Sequence, residues 1–436
     1  MKKLILFSLI NVKQRSCKHR LFLISQKFLK IGTIKMVFWT KELFYVIVIA
    51  LGSMNNGQTM AFYSPAGDLL IKEFNLTQSQ GTLFNTIAPV FAVAGGPLVK
   101  LFVKSFGRRI PTFVYGLTNF VCWITIFFCP KGISLLLFIV RSIQGLCLGG
   151  TSSLLSMYII EISPSELRGA YGSMHQLAVT IGAAFCYSLG LFSGWRHIPI
   201  LLSISCLIHT VLIFFIPDSP VVETDSEGNK NESVFQNKFL KPVLHALAFV
   251  FFQQYSGINA LSTNLNQIFS ESKVSISPSL SSTIVGVSSV IATLLSTRLV
   301  EKLGRRPSWI ISAFGQAFAL FLAAANSIFT IHPIIPLIAL FIDISCFGLG
   351  FGPIPWFIVP ELFPDSVRSL IQSLATGINW LLGASTMFLW PVLKEKITIG
   401  WGFFSFGIVC VLAAFYGFFL MPETKGTKIG QATENV

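Results

Sequence analysis

The sequence predicts an all-α membrane protein of twelve spanning helices in two six-helix, pseudo-symmetric halves. Three observations predict it. Of 436 residues, 53% are hydrophobic and only 11% charged, with a mean hydropathy of +0.71, whereas soluble domains carry roughly 25% charged residues. Mostly apolar segments of about the 20 residues needed to cross a hydrocarbon core recur twelve times. Short charged motifs between them appear twice, in the same order and at nearly one spacing.

Residues 1–41 hold ten Lys and Arg among short apolar patches and read as a basic cytoplasmic tail, or as an extension ahead of a true start at Met36. The apolar run in MKKLILFSLI is too short, and lacks a following small-residue cleavage site, to read as a signal peptide. Spans are predicted near 43–66, 82–104, 110–129, 133–157, 170–193 and 197–216, forming a first half over 42–216. The extended polar interval 217–241, PDSPVVETDSEGNKNESVFQNKFLK, has the Pro, Gly and mixed charge of a cytoplasmic linker. A second half over 242–425 holds spans near 242–267, 279–299, 309–329, 334–357, 370–393 and 399–420, followed by a cytoplasmic tail, 426–436. With the N-terminus inside, 25 of the 32 Lys and Arg fall on the cytoplasmic side and 7 on the other, as the positive-inside tendency requires. An integral protein of the plasma membrane is expected, with both termini in the cytoplasm. The Asn75-Leu76-Thr77 sequon is then external and Asn231-Glu232-Ser233 internal.

The net charge of +14 is spread between apolar segments, which suits membrane topology and not a nucleic-acid partner. Eight cysteines sit mostly inside apolar runs with no CxxC pair, and read as small packing residues. Six histidines, at 19, 175, 197, 209, 245 and 332, form no cluster, and no nucleophile, metal or phosphate-loop pattern is present. No enzyme, metal or cofactor is expected, and a monomer in the lipid bilayer is.

The repeat is specific. Gly107-Arg108-Arg109 recurs as Gly304-Arg305-Arg306, an offset of 304 − 107 = 197 residues; Glu161, Pro164 and Arg168 recur 200 residues on as Glu361, Pro364 and Arg368; Pro217-Asp218-Ser219 recurs 205 on as Pro422-Glu423-Thr424. An even number of spans separates the copies, so both halves run the same way through the membrane and are related by an axis along its normal. At these residues the chain resembles the sugar porter family of the major facilitator superfamily, over about 43 to 426. RSIQGLCLGG, YIIEISPSELRGAYGSMHQL, QQYSGINA, LGRR, GFGPIPWFIVPELFP, GINW and PETKG carry the resemblance together. It implies the major facilitator fold and transport by alternating access.

Arg108, Arg109, Glu161, Arg168 and Asp218, with their counterparts Arg305, Arg306, Glu361, Arg368 and Glu423, fall at cytoplasmic helix ends. The resemblance implies a salt-bridge network that holds the halves shut on the inside. Exposed pairs contribute below about 1 kcal/mol each, so such a gate acts by number. Lys104 stands where the family usually has an acid before GRR, whereas Glu301 keeps that acid in the second half. Asp218 and Val221 replace the usual Glu and Arg, and a weaker first-half lock is expected.

Neutral sugars present hydroxyls that both donate and accept, so a site for them wants carboxamides, which do both, and flat aromatic faces. Gln176, Gln253, Gln254, Asn259, Asn379, Trp356 and Trp380 supply that chemistry at positions matching the family's motifs, with no charge among them. The competing use of each amide is a helix–helix hydrogen bond, and of Trp380 an interfacial anchor. At about 100° per residue, Gln253, Gln254 and Asn259 cannot share one face of an unbroken helix. They converge if the helix opens at Ser256-Gly257, which makes Gly257 a predicted hinge. Pro353 and Pro355 likewise predict a bend in the tenth span, directly before Trp356.

The implied function is transport of a hexose or similar sugar by facilitated diffusion. Proton-coupled members of the family carry an Asp in the first span near the Arg of the fourth. Here GSMNNGQTMAFYSP has no acid before Asp68, which leaves Arg141 to backbone carbonyls or water. Asp343, in the middle of the tenth span, is the residue on which a proton-coupled symporter would rest. Another neutral polyol or organic nutrient as substrate, and a non-transporting sugar sensor, are the remaining readings.

Overall fold

A computed structural model describes residues 41–164, 167–192, 194–219, 236–272 and 274–425, without the side chains of Arg168, Asp365 and Ser366. The expected basic tail up to residue 40, the linker over 220–235 with its sequon, and the tail 426–436 lie outside the described residues. Contacts divide the chain into two units, Met1–Tyr45 and Val46–Val436, and every cavity-lining residue named here belongs to the second.

The described chain is helical: α1 Lys41–Ala61, α2 Tyr63–Glu73, α3 Gln78–Phe106, α4 Arg109–Phe127, α5 Ser134–Ile162, α6 Arg168–Phe192, α7 His197–Leu212, α8 Leu240–Tyr255, α9 Ile258–Thr263, α10 Leu265–Glu271, α11 Pro278–Leu303, α12 Arg305–Phe329, α13 Ile335–Leu349, α14 Ile354–Leu362, α15 Asp365–Lys396 and α16 Ile399–Phe419. Each of the twelve expected spans overlaps one of these helices or a broken set of them. Nine segments among the described residues are long and apolar enough to cross a membrane. The first (α1–α2), seventh (α8–α10) and eleventh (α15) fall short of that test. They are interrupted by amides: Asn55, Asn56 and Gln58 in the first, Gln253, Gln254 and Asn259 in the seventh, Gln372 and Asn379 in the eleventh. The spans least like lipid-facing segments therefore carry the polar groups.

Packing repeats between the halves. In the first, α3 packs on α5 and α4 on α7; in the second, α11 packs on α13 and α12 on α16. Across the halves, α6 meets α11 and α15 meets α3, so exchanging the halves maps the pattern onto itself. Burial is inverted relative to a soluble domain: Arg141, Gln144, Gln253 and Asn379 are buried, while Leu101, Phe128, Leu294 and Phe419 are exposed. Lipid outside, with polar groups satisfied inside, accounts for both.

The Gly-Arg-Arg repeat has a local cause. Gly107 (φ 69°) and Gly304 (φ 104°) end α3 and α11 in a backbone region open to glycine. A Cβ at either would run into a carboxylate, that of Asp218 or of Glu423. Those carboxylates accept the amides that start the next helix: Asp218 from Arg108 N at 2.8 Å, Glu423 from Arg305 N and Arg306 N at 3.0 Å each.

Candidate functional site

A cavity of about 120 Å³ lies where the halves meet, lined from α1, α5 and α6 on one side and from α8, α9, α11, α13, α14 and α15 on the other. Gln176, Gln253, Gln254, Asn259, Trp356, Asn379 and Trp380 all stand on its wall. No Asp, Glu, Lys or Arg is among the lining residues.

The seventh span opens where the sequence indicated. α8 ends at Tyr255, Gly257 turns at φ 86°, and α9 starts at Ile258. Asn259 then reaches back to donate Nδ2 to Gln254 Oε1 at 2.6 Å. Convergence of the two glutamines comes from a partner as well as from the break. Asn379 on α15 accepts from Gln254 Nε2 at 2.8 Å and donates to Gln253 Oε1 at 2.6 Å. A second break, at Asn264 between α9 and α10, was not indicated by the sequence.

Gln253 also donates Nε2 to Phe351 O (2.7 Å) and Gly352 O (3.1 Å). Those carbonyls are available because the tenth span is interrupted: α13 stops at Leu349 and α14 restarts at Ile354. Here the structure corrects the expected bend. Pro353 is the N-cap of α14 and Pro355 lies in its first turn, where a helix has no acceptor for the missing N–H. The prolines start a new helix instead of kinking a continuous one.

Trp356 stands at the head of α14 with its ring 5.1 Å from that of His175 on α6. The His175 Nδ1 lies 2.8 Å from Ser53 Oγ, and the ring lines the cavity. Sequence reasoning missed this histidine, although it directly precedes Gln176 in the YGSMHQL motif. It missed Asn56 too, which takes Thr151 Oγ1 at 2.7 Å and reaches Ser152 Oγ at 3.3 Å. The signal was the NNGQ run of the first span, read only for its lack of an acid. Trp380 is 6% exposed and packs on Ala92 and Leu148 of the first half, away from an interfacial anchor's place. Arg141 donates Nη1 to Thr59 O and Gln144 Oε1, both at 3.1 Å, and lies over the Phe84 ring, as its missing acid partner requires.

The charged residues at the helix ends form these pairs among the described residues. Arg108 pairs with Glu161, which also accepts from Ser219 Oγ at 2.7 Å; Arg305 pairs with Glu361 at 2.9 Å, which accepts from Thr424 Oγ1 at 2.7 Å. Both ion pairs lie inside one half and brace its helix ends. Arg306 donates to Gly417 O and Phe418 O, and Arg368 to Pro360 O and Phe363 O. The Arg109 amide reaches Asp218 at 3.3 Å, and the Arg168 side chain lies outside the described residues. Contact between the halves at this end includes Glu301, whose side chain lies beside Gly169, and Gln372, which donates Nε2 to Ser156 Oγ at 3.4 Å.

The profile of the sugar (and other) transporter family matches residues 45–222 and 221–435. The chain belongs to this family. Sugar transporter ERD6-like 6 of Arabidopsis thaliana is 28% identical, covering 87% of each chain. Facilitated trehalose transporter Tret1 of Apis mellifera ligustica is 26% identical over 90% of this chain and 87% of its own. Among solved structures, the proton:xylose symporter XylE bound to 6-bromo-6-deoxy-D-glucose superposes with a TM-score of 0.76 at 22% identity, covering 90% of this chain and 98% of that one. The transporter thus has the major facilitator fold and is an integral membrane protein.

Proposed function

We propose that this transporter carries a neutral sugar, a hexose or similar, across the plasma membrane by facilitated diffusion, as a monomer with both termini in the cytoplasm. The cavity wall is the observation that carries this reading: carboxamides of both halves, Asn56 and Gln176 facing Gln253, Gln254, Asn259 and Asn379, with Trp356 and Trp380 beside them and no formal charge. Paired amides hold one another in place while leaving acceptors and donors for hydroxyls, and the indoles offer apolar faces. Relatives named as sugar and trehalose transporters support it. Residues 42–216 and 242–425 act as the two rocking halves and 217–241 as the linker between them. The ion pairs near Arg108 and Arg305 keep each half rigid at its cytoplasmic end. Such a cycle makes and breaks no covalent bond and needs no cofactor.

Labelled glucose uptake in cells lacking their own hexose carriers, with fructose, trehalose and a polyol as competitors, tests this. Saturable uptake competed by one of these sugars is expected, and its absence would sink the sugar reading.

One observation favours proton coupling as a second reading. Asp343 on α13 is 1% exposed, neither carboxylate oxygen has a hydrogen-bond partner, and the next residue, Ile344, lines the cavity. Facilitated diffusion predicts that sugar influx into proteoliposomes leaves the lumen pH unchanged. A sugar-dependent proton flux abolished in Asp343→Asn would establish the symporter instead.

A further inference from the structure

A second cavity, of about 450 Å³, opens at the end of the bundle opposite the Arg–Glu clusters. Helix direction fixes the end: α3 runs from Gln78 at this cavity to Phe106 beside Arg108, and α15 runs from near Arg368 to Lys394 at the cavity rim. Its wall carries Gln78, Thr82 and Asn85 from the first half, and Asn264, Gln267 and Trp390 from the second. Lys394, which pairs with Glu271, and Glu395 line it as well, so the charges there are of both signs.

We propose that this cavity is a second, outer binding station for a neutral saccharide, an inference that rests on the sugar reading of the central site. The chemistry matches that site: amides and a hydroxyl converge from both halves beside an indole. Asn85 is the built element. It is 5% exposed, donates Nδ2 to Thr263 Oγ1 at 3.2 Å, and leaves Oδ1 with no partner. A buried carbonyl oxygen without a donor is costly, and a saccharide hydroxyl satisfies it.

The short helix α9 separates the two stations. Asn259 and Ser262 on it line the central cavity, Thr263 at its end holds Asn85, and Asn264 just beyond lines the outer one. α9 is six residues long between two breaks and crosses to the first half also through Tyr187 OH to Ser262 O at 2.8 Å. A hydroxyl that donates to Asn85 Oδ1 leaves its Nδ2 bond to Thr263 in place, so a saccharide in the outer station sits against one of the ties that hold α9.

The test separates influx from efflux. In intact cells expressing the full chain, the half-saturation for labelled glucose is measured in each direction for wild type, Gln78→Ala and Gln267→Leu, with surface amount quantified. Loss of one amide contact is expected to raise the influx value about 2- to 10-fold and leave efflux unchanged. Gln267→Asn, which keeps the amide, is expected to restore most of it. Values that stay at wild type in both directions, or rise equally in both, overturn the outer station while leaving the sugar reading standing. If wild type moves neither glucose nor trehalose, the sugar reading fails and the station falls with it. Gln78 is exposed at the start of α3, so its alanine variant reports even if Gln267→Leu does not fold.

Discussion

Asn379 donates its Nδ2 to the Gln253 Oε1 at 2.6 Å, and its own carbonyl takes the Gln254 amide at 2.8 Å. One side chain on α15 thus sets the orientation of two neighbours on α8 that point about 100° apart. Asn379→Leu would leave a buried acceptor on Gln253 and a buried donor on Gln254, each costing about 1 to 3 kcal/mol. Glucose uptake is expected to fall by roughly tenfold or more at equal surface amount. Uptake within a factor of about two of wild type would remove Asn379 from the site.

Gly257 is required twice over. Its φ of 86° suits glycine, and a Cβ there would collide with the Phe406 ring of α16. Gly257→Ala is expected to lower both the melting temperature in detergent and uptake. Adding Phe406→Ala relieves the collision but not the backbone strain, so the pair should regain part of the loss. Full activity in Gly257→Ala alone would show that the break in the seventh span is not needed.

His175 and Trp356 meet across the two halves at the cavity. Trp356→Leu should depress uptake far more than surface expression. His175→Ala removes the ring against Trp356 and the partner of Ser53 Oγ, and should raise the half-saturation for glucose. His175→Asn keeps a polar group near Ser53 and should be the milder change. Equal losses of uptake and surface amount in all three variants would assign the pair to folding.

Outside the spans, Glu73 at the end of α2 holds three segments together. Trp195 Nε1 and Arg196 Nε donate to it at 2.7 and 2.9 Å, and Lys131 lies 3.5 Å away. Burial pushes its carboxyl up, but the bonds from Arg196 and Trp195 outweigh that and hold it below its ordinary value. A depressed folded-state pKa means the stabilisation is present above the unfolded value, about 4, and is lost as pH falls through the folded one. Melting temperature in detergent should therefore drop on acidification below about pH 4, and less steeply in Glu73→Gln. Identical pH profiles would mean that the cluster contributes nothing.

The spans and the polar residues that line the cavity were legible for one reason: polar groups in lipid are costly, so their positions in an apolar chain are informative. The break at Gly257 followed from the angular spread of three amides. The second break at Asn264 did not, because an isolated Asn in a span reads equally as a helix–helix hydrogen bond. His175 was overlooked because a single histidine in an apolar run carries no pattern. The pairing at the charged helix ends was not legible for a related reason: opposite charges at repeated positions say that pairs form, not which.

The sequence by itself determined an all-α membrane protein with two like-oriented halves, because hydropathy and a repeat of about 200 residues are properties of the chain alone. Only the tertiary structure decided who pairs with whom. It placed Arg108 with Glu161 and Arg305 with Glu361 inside single halves, brought Gln372 to Ser156 across the halves, and put Asn379 between the two glutamines. The physical reason is that a hydrogen bond is satisfied at about 3 Å by whichever partner the packing of separate helices brings there, and spacing along one chain does not encode that distance.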